Sequence, residues 1–254
     1  MEYQITSDFV FRPNTIVIGD CIREMSKIPS GSVDLVLTDP PFGIDFASPI
    51  SAYRADIDYG SKGYCEIDSS CYRDFARSWI LQLPRLMKDT ASGYIIIGWQ
   101  NLFYVEEAIR DAGLHIQNHL IWKYQFGVGG CKKRYTTSHY HILFFTKSNK
   151  QWTFNKKGYM EDVIIINRKF GNGDVKVAPK LPLELVSYLV EVSSNDGDLV
   201  FDPFMGNGTT AEACIILGRH FFGFEKNPNA ESAIRSFLDN AIIRASHDLL
   251  SYLF

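Results

Sequence analysis

The chain has 254 residues, of which 46% are apolar and spread along its length, enough for one large domain with a sizeable core. No run approaches the roughly 20 apolar residues of a membrane span, and residues 1–10 lack the basic-then-apolar plan of a signal peptide. The net charge of −3 conceals a divided chain: residues 123–180 carry 12 Lys and Arg against 3 acids, and the remainder 14 against 26.

Short apolar runs alternate with helical patterns, which predicts an α/β fold on a mainly parallel sheet. In chain order, residues 15–19 (TIVIG) read as a strand and 21–27 as a short helix. Residues 33–38 (VDLVLT) form the next strand, with Asp39-Pro40-Pro41-Phe42 at its C-terminal end. Residues 44–71 are polar and rich in Gly, Ser and Tyr, and a loop of that length beside a strand end is expected over the active site. A helix follows over 70–87, a strand over 94–99, a helix over 103–112, and strands over 116–123 and 141–147. Residues 148–177 are basic and read as a small inserted recognition module outside the sheet, despite the β-branched run 163–166. The remaining elements are a helix over 183–193, a strand over 198–202, a helix over 209–217, a strand over 220–225 and a helix from residue 230.

The cysteines Cys21, Cys65, Cys71, Cys131 and Cys214 form no CxxC pair. That argues for free thiols in a reducing cytoplasm and against a disulfide frame or a zinc site. The basic stretch interleaves with Tyr124, Phe126, Tyr135, Tyr140, Trp152, Phe154, Tyr159 and Phe170. A solvated loop explains the charge alone; charge and aromatics together point to a nucleic acid.

Residues 198–210 read DLVFDPFMGNGTT. A strand feeds a turn with Gly206 and Gly208, and a helix opens at Thr209-Thr210. Such glycines allow close backbone approach to a ligand, and free N–H groups at a helix start favour an anionic group. Glu225 ends the next strand, 19 positions after Gly206, where an acid can accept both hydroxyl hydrogens of a ribose. The pattern points to a nucleoside with an attached anion as ligand, for which NAD and S-adenosylmethionine (SAM) both qualify; a tight strand–helix turn without a ligand is the competing explanation. Asp202 either orients the turn or faces the ligand's amino group.

The prolines of Asp39-Pro40-Pro41-Phe42 stiffen the chain. They hold the Asp39 carboxylate and the Pro40 carbonyl as acceptors for an –NH2 group, while Phe42 offers a face for a planar ring. An aromatic amine is a poor nucleophile because its lone pair is delocalised. Acceptors that draw its hydrogens out of the ring plane localise that pair and aim it at an electrophile such as the methyl of SAM. A structural turn capping a strand, with Phe42 in the core, is the competing explanation.

DPPF and FMGNGTT together resemble the β-class SAM-dependent amino-methyltransferases of DNA, in which the catalytic motif precedes the SAM motif. The resemblance implies a Rossmann-like methyltransferase fold with circularly permuted motif order, a mainly parallel seven-stranded sheet and an antiparallel final hairpin. It implies SAM as cofactor. Asp20 would accept from the SAM adenine amino group and the Cys21 N–H would bond a ring nitrogen, while Asp202, Phe204, Gly206, Gly208, Thr209, Thr210 and Glu225 would complete the site. Lys180 would reach the SAM carboxylate, although here Ala178-Pro179-Lys180-Leu181-Pro182 stands where the family commonly carries Thr-x-Lys-Pro. Phe42 stands where the family most often has Tyr. Lys132, Lys133, Arg134, Lys156 and Lys157 would contact DNA. Asp at the first motif position is typical of N6-adenine enzymes and Ser of N4-cytosine enzymes, so the resemblance favours adenine. C5-cytosine chemistry is disfavoured because the chain has no Pro-Cys dipeptide. The resemblance further implies double-stranded DNA as partner and a cytoplasmic, nucleoid-associated location, and it allows a homodimer and a cognate restriction endonuclease.

Three rival readings compete. A nicotinamide dehydrogenase would explain the Gly-rich turn and Glu225 but not DPPF or the basic segment. An RNA or protein amino-methyltransferase could use a related motif. A DNA-binding module with a decayed site would not need the site residues, which are intact.

Overall fold

In a computed structural model, residues 2–43, 67–128, 133, 135–167 and 181–251 are described, without the side chains of 126–128 and 247–251. Of the expected active-site loop over 44–71, residues 44–66 lie outside the described residues, as do Lys132, Arg134 and Lys180.

The strands are β1 (Gln4–Thr6), β2 (Thr15–Ile18), β3 (Val33–Thr38), β4 (Met87–Ile97), β5 (His115–Val128), β6 (Thr137–Thr146), β7 (Val163–Ile165), β8 (Leu199–Asp202) and β9 (His220–Glu225). The helices are α1 (Cys21–Glu24), α2 (Tyr72–Ile80), α3 (Leu83–Leu86), α4 (Leu102–Asp111), α5 (Leu183–Ser193), α6 (Thr209–Leu217) and α7 (Glu231–Ser251). The described sheet has nine strands in the order β1-β2-β9-β8-β3-β4-β6-β5-β7. From β1 to β4 neighbouring strands run parallel; β6 lies antiparallel to both β4 and β5. The seven strands expected from the sequence are all present, and β1 and β7 extend the sheet at its two edges.

Side-chain alternation sends one set of strand residues to each face. Leu35, Leu37, Tyr94 and Ile96 pack under α5, α6 and α7, whereas Val36, Ile95 and Ile97 pack under α1 to α4. The result is a sheet covered on both faces.

Two expectations change. The helix expected over 70–87 breaks after Ile80 and resumes at Leu83. Pro84 is the cause: it has no N–H for the Ile80 carbonyl and its ring would clash there, but it fits the first turn of a new helix, where it sits in α3. The run 163–166 does not stand apart from the sheet. Val163–Ile165 pairs in parallel with Ile121–Lys123, and the Trp122 indole Nε1 donates to the Ile166 carbonyl at 2.8 Å. A β-branched run beside the open edge of β5 gains a ladder that a free-standing insert would lack.

The chain builds outward from β3 through α2 to β4 on one side, and from β8 through α6 to β9 on the other. β3 and β8 are therefore the neighbours at which the winding reverses. In open α/β sheets the crevice outside the carboxyl ends of such strands is the ligand site. Side chains pin this pair at both ends. At the start, Asp34 of β3 accepts from the Leu199 N–H at 2.9 Å and pairs with Lys88 at 2.7 Å. At the end, the Thr38 hydroxyl donates to Asp202 at 2.7 Å. A slip of one residue would turn every side chain of either strand to the opposite face.

Candidate active site

Asp202, the last residue of β8, is buried, and its carboxylate joins three pieces of chain. Oδ1 accepts from Thr38 Oγ1 at 2.7 Å and from the Phe204 N–H at 3.0 Å, while Oδ2 accepts from Thr210 Oγ1 at 2.7 Å. One group thus holds the end of β3, the first bend of the glycine turn and the first turn of α6. Burial pushes the Asp202 carboxyl up to about 6; the donors from Thr210, Thr38 and Phe204 pull it back only in part. Of the two roles open to Asp202, these bonds support that of orienting the turn.

The turn then runs over Met205 to Gly208. Gly206 (φ 53°) and Gly208 (φ 83°) both take the left-handed conformation, at no steric cost to glycine. Met205 N–H donates to the Phe224 carbonyl at 2.7 Å, which ties the turn to β9. Gly208 is the N-cap of α6 and has no side chain to satisfy the first-turn amides, which leaves Thr209 and Thr210 at an N-terminus suited to an anion. The Phe204 ring lies edge-on to Trp79 of α2, with centroids 5.3 Å apart. It braces the turn from the α2 side.

Glu225 ends β9, and its carboxyl is raised by burial and by Asp202, against the pull of the Asn227, Gly206 and Lys226 amides. The Asn227 N–H bond is 2.7 Å. Gly19 N–H donates to the Glu225 carbonyl at 2.8 Å, which seats the β2–α1 junction beside Glu225. Asp20 caps α1, accepting from the Ile22 N–H at 3.0 Å, and pairs with Lys226 at 3.0 Å. Cys21 opens α1 with a buried thiol, whose burial pushes its ionisation up. Along the carboxyl edge the order is therefore Asp20, Glu225, the glycine turn and Asp39, from β2, β9, β8 and β3. Three strand spacings make this row about 14 Å long. An acid at the strand end, free helix-start amides and glycines without Cβ form a donor and acceptor set that fits a nucleoside carrying a carboxylate.

Asp39 is half-buried, Pro40 is buried and Phe42 is half-buried. The Phe42 ring lies 5.2 Å from Tyr140 of β6 at an interplanar angle of 52°, and Tyr140 in turn lies 5.6 Å from Trp122 and 5.8 Å from Tyr124. Phe42 is thus backed by an aromatic wall built from β5 and β6. Tyr140 entered the sequence reading only as one aromatic among the basic residues. Its alternation with Ile142 and Phe144 on the core face is the signal that marks it. Tyr72 and Asn101, which bond the carbonyls of the same loop, were not anticipated.

The basic residues divide. The β5–β6 hairpin, with Lys133 exposed, turns at the end of β5, on the carboxyl edge. Lys156 and Lys157 lie at the opposite edge. There the Asn155 N–H donates to the Val192 carbonyl at 2.6 Å, the Thr153 N–H bonds Thr90 near the start of β4 at 3.1 Å, and Lys157 pairs with Glu191 of α5 at 2.5 Å. The structure does not bring these two lysines to the candidate site, because the chain passes the C-terminal end of α5 before rising through β7. Among the described residues no cluster of His, Cys, Asp and Glu is suited to a metal ion, and no helix is long and apolar enough to cross a membrane.

Between about pH 4 and about pH 6 the native state holds a proton on Asp202 that the unfolded chain, with a carboxyl near 3.8, has released. The contribution of Asp202 to stability therefore falls as pH rises from about 4 to about 6. Asp202→Asn removes this titration and retains an acceptor for Thr38 and Phe204. Urea unfolding of both proteins should show the stability difference moving in favour of the variant between pH 4 and pH 7. A difference independent of pH contradicts the buried-carboxylate assignment.

The family model of DNA methylases matches residues 33–162 and 167–236. The DNA adenine methyltransferase YhdJ of Escherichia coli K12 is 28% identical over 250 residues, covering 84% of this chain and 78% of that protein. Among solved structures, the PvuII DNA methyltransferase (cytosine-N4-specific) superposes with a TM-score of 0.69 at 18% identity, covering 91% of each chain. A Thermus thermophilus protein in complex with S-adenosyl-L-methionine gives 0.65 at 19% identity, covering 95% of this chain and 96% of that one.

Proposed function

The chain belongs to the DNA methylase family, and from that premise we propose that it transfers a methyl group from SAM to the N6 amino group of an adenine flipped out of double-stranded DNA. The observation that carries the reading is the meeting of two motifs at the reversal point of the sheet. DPPF leaves β3 and FMGNGTT leaves β8, and the Thr38–Asp202 bond of 2.7 Å joins them. Family membership leaves the nicotinamide reading without support.

SAM, when bound, supplies a methyl group on a cationic sulfur. The residues that would hold it are Asp20 and the Cys21 N–H toward the adenine ring, Glu225 toward the ribose hydroxyls, and Gly206, Gly208, Thr209 and Thr210 toward the carboxylate. Lys180 is assigned to that carboxylate by resemblance alone. Asp39 and the Pro40 carbonyl accept the amino hydrogens of the target base and localise its lone pair. Phe42, backed by Tyr140, receives the face of the flipped ring. Positioning and electrostatics supply the rate, without a covalent enzyme intermediate. Asp39 at the first motif position and the adenine-specific E. coli relative support adenine. The cytosine-N4-specific enzyme of the same fold makes N4-cytosine the alternative product.

Asp39→Ala should abolish transfer of labelled methyl groups to DNA while leaving SAM affinity near that of the parent protein. Substantial residual transfer contradicts the acceptor role. The basic run between β5 and β6 makes a second expectation. Replacing Lys132, Lys133 and Arg134 by Ala should weaken DNA binding and reduce the dependence of log K on log salt by about 0.9 for each phosphate no longer neutralised. Replacing Lys156 and Lys157 should leave that slope unchanged, because they lie at the far edge. A slope altered only by the second pair reverses the assignment.

A further inference from the structure

The reactive loop has no backbone ladder to hold it, since Pro40 and Pro41 carry no N–H. Two side chains from outside the motif take over. Tyr72, fully buried at the start of α2, donates its hydroxyl to the Pro41 carbonyl at 2.8 Å. Asn101, only 4% exposed, donates Nδ2 to the Phe42 carbonyl at 2.6 Å and reaches the Gly43 carbonyl at 3.4 Å.

The use of Asn101 runs against its local role. It is the N-cap residue of α4, and Asn is among the best side chains for closing a helix N-terminus on itself. Here it makes no side-chain cap bond. Its amide is directed at the loop, 59 positions earlier in the chain. Gly43 lies between the two side chains. A Cβ there would stand 2.3 Å from Tyr72 Cδ2 and 2.5 Å from Asn101 Nδ2, and the φ of 66° independently favours glycine. The helices that present the pair are braced against each other on the surface. Arg73 pairs with Glu107 at 2.7 Å and Arg77 pairs with Asp111.

We infer that Tyr72 and Asn101 are positioning residues for methyl transfer: together they clamp the Pro41 and Phe42 carbonyls and so fix the plane of the Pro40 carbonyl that meets the target amino group. The proline rings lock φ of Pro40 and Pro41, so the soft angles of the loop are the ψ values. Anchoring the Pro41 carbonyl removes ψ of Pro41, and anchoring the Phe42 carbonyl removes the next. The Pro40–Pro41 peptide plane is then held from its C-terminal side, as Asp202 holds it from the β3 side through Thr38. A displacement of about 1 Å at a reacting group can cost on the order of a hundredfold in rate. The inference rests on the proposed amino-methyl transfer.

The test uses Tyr72→Phe, which keeps the buried ring, and Asn101→Ser, which keeps a favoured N-cap type. In steady-state assays with SAM and DNA, each variant should lose at least about tenfold in kcat, with SAM affinity and KM for DNA within about threefold of the parent. Carbonyl 13C signals of Pro40, Pro41 and Phe42 in selectively labelled protein provide a readout that needs no turnover. Tyr72→Phe should move the Pro41 signal and Asn101→Ser the Phe42 signal, and each should also move that of Pro40. Unchanged kcat in both variants overturns the clamp, as does a loss that falls equally on SAM affinity and melting temperature. A parent protein that methylates no DNA removes the proposed function instead. The carbonyl signals then decide the clamp alone, and a stationary Pro40 signal overturns it.

Discussion

A buried carboxylate at the end of β8 is the constraint on which the site depends. Asp202 is paired entirely with neutral donors, the hydroxyls of Thr38 and Thr210 and the amide of Phe204. Burying a carboxylate among such partners is costly, and its raised ionisation expresses that cost. What the fold gains is a fixed relation between two loops that are 164 positions apart in sequence. One carries DPPF, the other the glycine turn. Neither loop could set the distance by itself, because each leaves its own strand.

The sheet supplies the rest of the arrangement. Parallel strands place all their carboxyl ends on one edge, and the reversal between β3 and β8 opens the crevice there. Asp34 at the opposite end, bonded to the Leu199 N–H, keeps the two strands in register. Asp20, Glu225, the turn and Asp39 then fall in sequence along neighbouring strand ends. The aromatic wall of Phe42 and Tyr140 closes the far end of this row. Tyr72 and Asn101 fasten the motif from the helix layer, so the loop is held from both sides of its prolines.

Much of this was legible in the sequence, wherever the signal was local. The strand before DPPF, the helix after Gly208 and Glu225 at the end of β9 all announce themselves through periodicity and turn chemistry. The break in the helix after Ile80 was missed although Pro84 was visible, because the apolar spacing on either side continues across it. The β-branched run 163–166 was read as separate because its partner, β5, is remote in the chain. Charge alone likewise does not report position. Lys156 and Lys157 lie close in sequence to the basic hairpin, yet the chain passes to the opposite edge before reaching them, and Lys157 is taken up by Glu191. Tyr72 and Asn101 were invisible as site residues, since nothing in a tyrosine at a helix start or an asparagine at an N-cap position signals a bond to a loop many residues away. Long-range hydrogen bonds leave no local pattern.

Under the proposed function, the joined motifs methylate the amino group of adenine in DNA. The most direct measurement is incubation of the protein with unmethylated plasmid and labelled SAM, followed by sequencing that resolves modified bases. The expected product is N6-methyladenine confined to a defined sequence context. Label on cytosine N4 would contradict the assignment of the base, and plasmid that acquires no methyl group would contradict the account of the site itself.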